Sequence, residues 1–320
     1  MPKISILIPA YNAGKCIDRS LDSALGQTFS DIEIVVVDDG SQDNTLEVLD
    51  RYASSDNRVK VVRHPRNLGV FMARKTLINN SSSDHLMFLD SDDALKPDAC
   101  ENLYSEALRS GADLVIGGYE LCWNDGRKVV KNNELNYGNG PYGVAMAMLK
   151  GELKRYLHSK LFEKRLFVEN PPEYLEHFNL CEDEIMSFSA SKNVHNAVRV
   201  SCVVYEYWQV DGSLTHSGGP KLRRDQLYAR SVVRSICYGI DKDLGKESET
   251  FLLKGLHCSI KSSGGKNRKE LVSAVSDFGL SSIISFPSLV RRFGFKKGLN
   301  YYLVTRFKFG SRLVNLYDNA

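Results

Sequence analysis

Short apolar runs alternate with helix-period segments along residues 1–120, and that alternation limits the fold more tightly than any other feature. Lys3 to Ile8, Ile32 to Val37, Val59 to Val62, His85 to Leu89 and Asp113 to Ile116 read as strands. Between them, 14–26 carries Ile17, Leu21 and Leu25 at four-residue spacing. The segment after Ser41 offers Leu46, Leu49 and Tyr52-Ala53, and the one after Gly69 offers Phe71, Ala73-Arg74 and Leu77-Ile78. A further helix fits 97–109. Strands that alternate with helices build βαβ units, hence a parallel sheet covered on both faces. Ligands on such sheets bind beyond the carboxyl ends of the strands. The polar clusters Tyr11-Asn12, Asp38-Asp39, Asn67 and Asp90-Asp92 all fall there. Pro9 is expected to end the first strand, because proline cannot donate to a central ladder, and Ser41 to cap the second helix.

The run His85 to Leu89 delivers Asp90, Asp92 and Asp93 at its end. Carboxylates do not stay charged inside a dry sheet, so they sit at its mouth. The spacing of Asp90 and Asp92 suits a hard cation, Mg2+ or Mn2+, which commonly completes its shell with substrate phosphates. A solvated acidic turn is the alternative for an isolated Asp-x-Asp.

A chain of 320 residues with 42% hydrophobic content is long and apolar enough to bury a sizeable core. Charge is uneven: residues 1–220 hold 23 basic and 31 acidic side chains, and 221–320 hold 19 and 8. That points to an acidic body and a basic tail that meets something anionic. The seven cysteines form no Cys-x-x-Cys pair, which argues against a disulfide framework or zinc site and for a reducing, cytoplasmic setting. No stretch approaches the length of a membrane span, and no cleavage pattern follows the first apolar run.

Beyond residue 117 the pattern loosens. The segment 124–143 reads as a loop or hairpin, Tyr142 to Leu149 as helix, Ile185 to Ala190 as helix and Val198 to Trp208 as strand. Residues 212–219 form a Gly/Ser-rich loop, and helical patterning dominates from Lys221. Segment 289–314 interleaves Arg291-Arg292, Lys296-Lys297, Arg306, Lys308 and Arg312 with Phe293, Phe295, Tyr301-Tyr302, Phe307 and Phe309. Such a segment suits an anionic membrane surface, and an ordinary helical subdomain with a basic face is the competing reading. Nucleic acid is not expected as a partner.

Four motifs in this order, Ser-Ile-Leu-Ile-Pro-Ala-Tyr-Asn (5–12), Val-Val-Asp-Asp-Gly-Ser (36–41), Asn-Leu-Gly (67–69) with Ala-Arg (73–74), and Leu-Asp-Ser-Asp-Asp (89–93), resemble glycosyltransferase family 2, with its inverting chemistry and GT-A fold. The likeness is close to about residue 120 and looser to 217, through Lys160-Leu161-Phe162, Glu182-Asp183 and Ser213-Leu214-Thr215. It implies an α/β, Rossmann-like, mainly parallel sheet with a helical C-terminal extension. The halves would be 1–120 for the nucleotide-sugar and 121–219 for acceptor and catalytic base, with 220–320 as the basic region. The implied activity moves a hexose or N-acetylhexosamine from a UDP-sugar to a glycan or glycolipid hydroxyl, with Mn2+ or Mg2+, in a bacterial surface-polysaccharide setting. A peripheral position on the inner face of the cell membrane goes with it.

The resemblance also implies roles. Pro9 and Tyr11 would flank uracil, and Asp39 would accept its imide proton, with Asp38 in support. Asn67 and Arg74 would line the nucleotide and diphosphate. Asp90 would lie near ribose and metal, Asp92 would bind the metal, and Asp183 would be the general base, with Glu182 and Glu184 its competitors. Lys160 and Glu182 would touch donor sugar or acceptor. His158 stands where the family commonly has Trp, which leaves those contacts open. His216, on the Gly/Ser-rich loop, either swings in toward metal or diphosphate or is an exposed loop histidine. Plain structural readings remain for each: Pro9 and Tyr11 as a strand end, Asp38-Asp39 and Glu182–Glu184 as acids at helix starts, Arg74 as a solvated helix residue.

Two other functions compete. A nucleotidyltransferase would show a Gly-rich, basic phosphate loop after the first strand, and Pro9-Ala10-Tyr11-Asn12 is not one. A non-catalytic nucleotide-sugar-binding or scaffold protein could keep the fold, but it would not need Asp90, Asp92 and Asp183 intact.

Overall fold

The computed structural model describes residues 1–178, 180–209, 220–263, 286–293 and 302. The chain divides into two compact units, Met1–Leu214 and Thr215–Ala320.

The first unit is built on a nine-stranded sheet. Its elements run β1 (Ile4–Ala10), α1 (Ile17–Leu25), β2 (Ile32–Asp38), α2 (Thr45–Ser55), β3 (Val59–Arg63), α3 (Val70–Asn80), β4 (His85–Phe88), β5 (Ala94–Leu95), α4 (Ala99–Ser110), β6 (Leu114–Cys122), β7 (Lys128–Lys131), α5 (Pro141–Lys150), β8 (Lys160–Glu163), α6 (Arg165–Val168), α7 (Glu182–Ser191) and β9 (Ala197–Trp208). Strand order is β3-β2-β1-β4-β8-β6-β9-β5, with β7 paired to β6. The parallel part runs from β3 to β4. Beyond it β8 enters antiparallel to both β4 and β6, while β6 and β9 are parallel to each other. Ile4, Ile6, Ile8, Ile34 and Val36 are buried in one cluster with Ile17, Leu21 and Leu103. Alternate residues Leu7, Val35 and Val37 are buried as well, as a sheet covered on both faces requires.

Two local expectations need correction. Pro9 does not end β1, which continues to Ala10 with Pro9 opposite Val37. Leu89 N donates to Leu7 O and Asp39 N to Ala10 O, so odd residues of β1 turn their polar groups toward β4 and even ones toward β2. The missing Pro9 N–H faces the β4 side beyond Phe88, where no ladder bond is lost. Ser41 does not cap α2, whose N-cap position is Asn44. The Ser41 hydroxyl accepts instead from Asn12 N at 3.0 Å, and Asn12 Oδ1 accepts from Gln42 N at 2.8 Å. The loops after β1 and β2 are therefore laced together at the carboxyl edge of the sheet.

The second unit is helical where described: α8 (Pro220–Ile240), α9 (Lys242–Ser263) and α10 (Phe286–Phe293). Arg234 Nη2 on α8 meets Glu249 Oε1 on α9 at 3.0 Å. Among the described residues no helix is long and apolar enough to cross a membrane. Most of the basic-aromatic segment 289–314 and the loop with His216 lie outside the described residues.

Gly40, in the turn after β2, has φ +72, and an added Cβ would lie 2.6 Å from Arg66 C. Gly40→Ala should lower unfolding free energy by about 1–3 kcal/mol, the strain of a left-handed non-glycine residue. An unchanged urea midpoint would show that the approach of the two loops is slack.

Candidate active site

The acids singled out in sequence are joined by one guanidinium. Arg74 projects from α3 and is only 3% exposed. Its Nη1 donates to Glu182 Oε1 at 2.7 Å and also to Asp183 Oδ1, while Nη2 donates to Asp90 Oδ1 at 3.0 Å. Its Nε has no partner among the described residues. Asp90 follows β4, and Glu182 and Asp183 form the first turn of α7, where helix N-termini favour acids. Arg74 is thus a hub for carboxylates rather than a solvated helix residue.

Burial raises the Asp183 carboxyl pKa to about 8; Arg74 opposes the shift, and Glu182 and Asp90 add to it. Glu182 is raised too, by burial against the pull of Arg74. Lys160 on β8 is 3% exposed, and burial lowers its ammonium pKa to about 7 against the attraction of Asp183. Its Nζ donates to Tyr156 O at 2.6 Å. A base with a raised pKa beside a cation with a lowered one is an arrangement that suits proton transfer near neutral pH.

The Asp-x-Asp turn is held from beneath. Asp93 is fully buried and accepts from Tyr205 Oη at 2.7 Å and from Trp208 N at 2.8 Å. The same Tyr205 hydroxyl accepts from Asp90 N at 3.2 Å. Arg19 Nη1 donates to Asp92 O at 2.8 Å, and its guanidinium lies 4.1 Å from the Trp208 ring centroid. Asp93 is therefore a structural acid. Burial and the neighbouring Asp90 raise the pKa of Asp92, which forms no ion pair among the described residues. Two carboxylates that repel each other, one without a cation, are hard oxygen donors of the kind Mg2+ and Mn2+ take, so Asp90 and Asp92 fit a divalent cation. Glu120, Cys122 and Glu206 also place ligand atoms within 4.8 Å of one another. There Lys96 and Lys128 already neutralise the carboxylates, at 2.6 Å for Lys96–Glu206 and 3.1 Å for Lys128–Glu120, so that cluster does not fit.

The β1 and β2 ends form the other flank. Pro9 is buried and Tyr11 is 45% exposed. Asp39 is 2% exposed; its Oδ1 accepts from Leu68 N at 2.9 Å and its Oδ2 from Gly69 N at 2.8 Å. His64 Nδ1 lies 2.6 Å from the same Oδ1, and its Nε2 lies 2.9 Å from Thr76 Oγ1. Asp39 thereby shapes the Asn67-Leu68-Gly69 turn that opens α3 and carries Arg74 into place. Asp38 accepts from Ser41 N at 3.2 Å.

The model of glycosyl transferase family 2 matches residues 5–164, half of the chain. The chain belongs to glycosyl transferase family 2. Among curated relatives, the glycosyltransferase GlyG of Streptococcus pneumoniae is 38% identical over 116 residues, 36% of this chain, and this chain spans only 38% of its length. The putative glycosyltransferase EpsH of Bacillus subtilis is 29% identical over 268 residues, 81% of this chain and 76% of EpsH. The crystal structure of S. aureus TarS 1–349 in complex with UDP-GlcNAc is similar with a TM-score of 0.72 at 20% identity, over 95% of this chain and 90% of that one. The fold is GT-A.

His64, Tyr205 and Arg19 were not singled out in sequence, and Asp93 was read only as one of the three acids that the strand delivers. His64 stands three residues ahead of Asn67, but nothing in its neighbours signals that it turns toward Asp39. Tyr205 sits in a weakly alternating strand 112 residues from Asp93, a separation that no local pattern bridges.

Arg74→Met should destabilise the fold by about 3–5 kcal/mol near neutral pH, since it strands buried carboxylates. The folded pKa values of Glu182 and Asp183, already raised by burial, would rise further, so the deficit should shrink toward pH 5 and widen toward pH 9. Urea titrations at both pH values check this; a deficit independent of pH would mean that the acids do not depend on Arg74.

Proposed function

We propose that this chain transfers a hexose or N-acetylhexosamine from a UDP-sugar to a hydroxyl of a glycan or glycolipid acceptor, with inversion. The observation that carries this is the bridge from Asp90, through Arg74, to Asp183. It supports a donor-side acid and an acceptor-side base sharing one cleft. Family membership and the TarS likeness support the class.

In this reading Pro9 and Tyr11 flank the uracil ring, whose face suits an exposed tyrosine. Among the described residues Asp39 Oδ2 has one donor, Gly69 N, and a lone pair would remain for the uracil imide N–H. Asn67 lines the nucleotide from the turn that Asp39 shapes. Asp90 and Asp92 would hold Mg2+ or Mn2+, which when bound supplies neutralisation of charge on the diphosphate leaving group. Arg74 adds fixed positive charge to the same region while keeping Asp183 turned toward the acceptor.

Asp183 takes the proton from the acceptor hydroxyl as that oxygen attacks the anomeric carbon and the bond to the UDP oxygen breaks. Its raised pKa makes it a stronger base than an ordinary aspartate, at the expense of being ionised only at higher pH. In the same reading Glu182 and Lys160, beside it, would touch donor sugar or acceptor.

UDP release with a panel of UDP-sugars and glycan acceptors tests the class, with Mn2+ and then with chelator. Asp183→Asn should cut turnover by about 10²–10⁴, the usual range for a lost general base, and leave UDP affinity nearly intact. Near-normal turnover would remove Asp183 from that role. In the wild type, kcat/KM should rise with pH and level off above about 8, because the base must be deprotonated to act. A profile already flat by pH 6 would contradict the base assignment.

A further inference from the structure

An aromatic column rises beside this site that the mechanism above does not use. Tyr205 is fully buried at its foot, with its hydroxyl on Asp93. The His158 ring stacks on Tyr205 at 4.5 Å and 16°. Tyr156 stacks in turn on His158 at 5.0 Å and 25°, and is 43% exposed. Tyr207 lies 5.7 Å from His158 at 24° and 6.5 Å from Tyr156 at 37°. Tyr119 closes the column edge-on, 5.1 Å from His158.

We propose that Tyr156 is the stacking platform for a cyclic sugar of the acceptor, with Tyr207 alongside and His158 and Tyr205 as its rigid backing. The inference rests on the glycosyl-transfer reading of the site.

A single exposed tyrosine means little. Tyr156 differs in how it is held. Its carbonyl accepts from Lys160 Nζ at 2.6 Å. The preceding Arg155 is tied to α7 twice, through Nε to Glu184 Oε1 at 3.0 Å and through its carbonyl to Ser187 Oγ at 2.9 Å. Both α7 partners follow Asp183 within four residues, and Tyr156 feels the Asp183 charge. The ring is therefore fixed next to the group that must meet the acceptor hydroxyl.

The backing is unusual as well. His158 is 5% exposed, and neither of its ring nitrogens has a partner among the described residues. A buried imidazole without partners costs stability. Burial, with Lys160 and Arg74 nearby, pushes its pKa well below the ordinary histidine value and keeps it neutral. An uncharged, stacked backing leaves an aromatic face with negative quadrupole, to which the C–H groups on one face of a pyranose are attracted. An open-chain polyol phosphate has neither that flat C–H face nor neutrality. The platform thus selects a pyranose at the acceptor end.

Saturation-transfer NMR with methyl β-glucoside, methyl β-galactoside and methyl β-N-acetylglucosaminide tests this on the full chain with UDP and Mg2+ present. Ribitol 5-phosphate serves as the open-chain comparison, and UDP affinity is measured on the same samples. Wild type should saturate the ring protons of at least one pyranoside more than ribitol phosphate. Tyr156→Phe should keep that binding, and Tyr156→Ala should weaken it roughly tenfold, as loss of one aromatic contact does. Equal pyranoside binding by wild type and Tyr156→Ala, or preference for ribitol phosphate, overturns the platform while UDP binding leaves the enzyme reading standing. Absence of UDP binding in the wild type overturns both.

Discussion

The site depends on one buried cation. Arg74 faces three carboxylates, one from the turn after β4 and two from the first turn of α7, which lie 16 and as far as 109 residues away in sequence. A planar guanidinium that is always charged can hold such a set, with separate N–H groups for separate acids, and a lysine ammonium would do this less well. Burying a guanidinium together with its acidic partners is costly, so the cluster is not explained by stability. It keeps a carboxylate with a raised pKa and one available to a divalent cation within the same small volume, which solvent would otherwise separate and neutralise.

The scaffold supports that cluster through ties between loops at one edge of the sheet. Asn12 links to Ser41 and Gln42, Asp39 to the turn before α3, and Asp93 to Tyr205 and Trp208. Apart from the Tyr205 hydroxyl on Asp93, each tie uses a side chain to satisfy a backbone N–H. The loops at this edge are thereby fixed to one another through their own side chains. β1 can run through Pro9 for the same reason: its neighbour β4 has already ended, so the proline sits at the rim rather than in the ladder.

Much of this was legible in the chain. Alternating strand and helix periods located β1 to β4 and α1 to α4 within a few residues, and the polar clusters after the strands marked the carboxyl edge. Asp90, Arg74, Glu182 and Asp183 were named from motif order, but their mutual contact was not, because it joins α3 to α7 across a long and irregular stretch. The antiparallel entry of β8 between β4 and β6 was equally hidden: Lys160-Leu161-Phe162-Glu163 is too short to show direction. Asp39 read as a ligand reader; its contacts with Leu68, Gly69 and His64 reveal a second task, shaping the turn that aims Arg74. His158 stood out only as a departure from the family, and its stack on Tyr205 and Tyr156 became visible once the strand ends met.

Burial raises the pKa of Asp183, and Arg74 restrains the rise. Carbon-13 NMR of the side-chain carboxyl of Asp183 measures this directly across a pH titration of wild type and Arg74→Met. The expected result is a wild-type midpoint near 8, displaced further upward when Arg74 is lost. A midpoint at the ordinary carboxylate value of 3.8, or one that does not move on removal of Arg74, would contradict it.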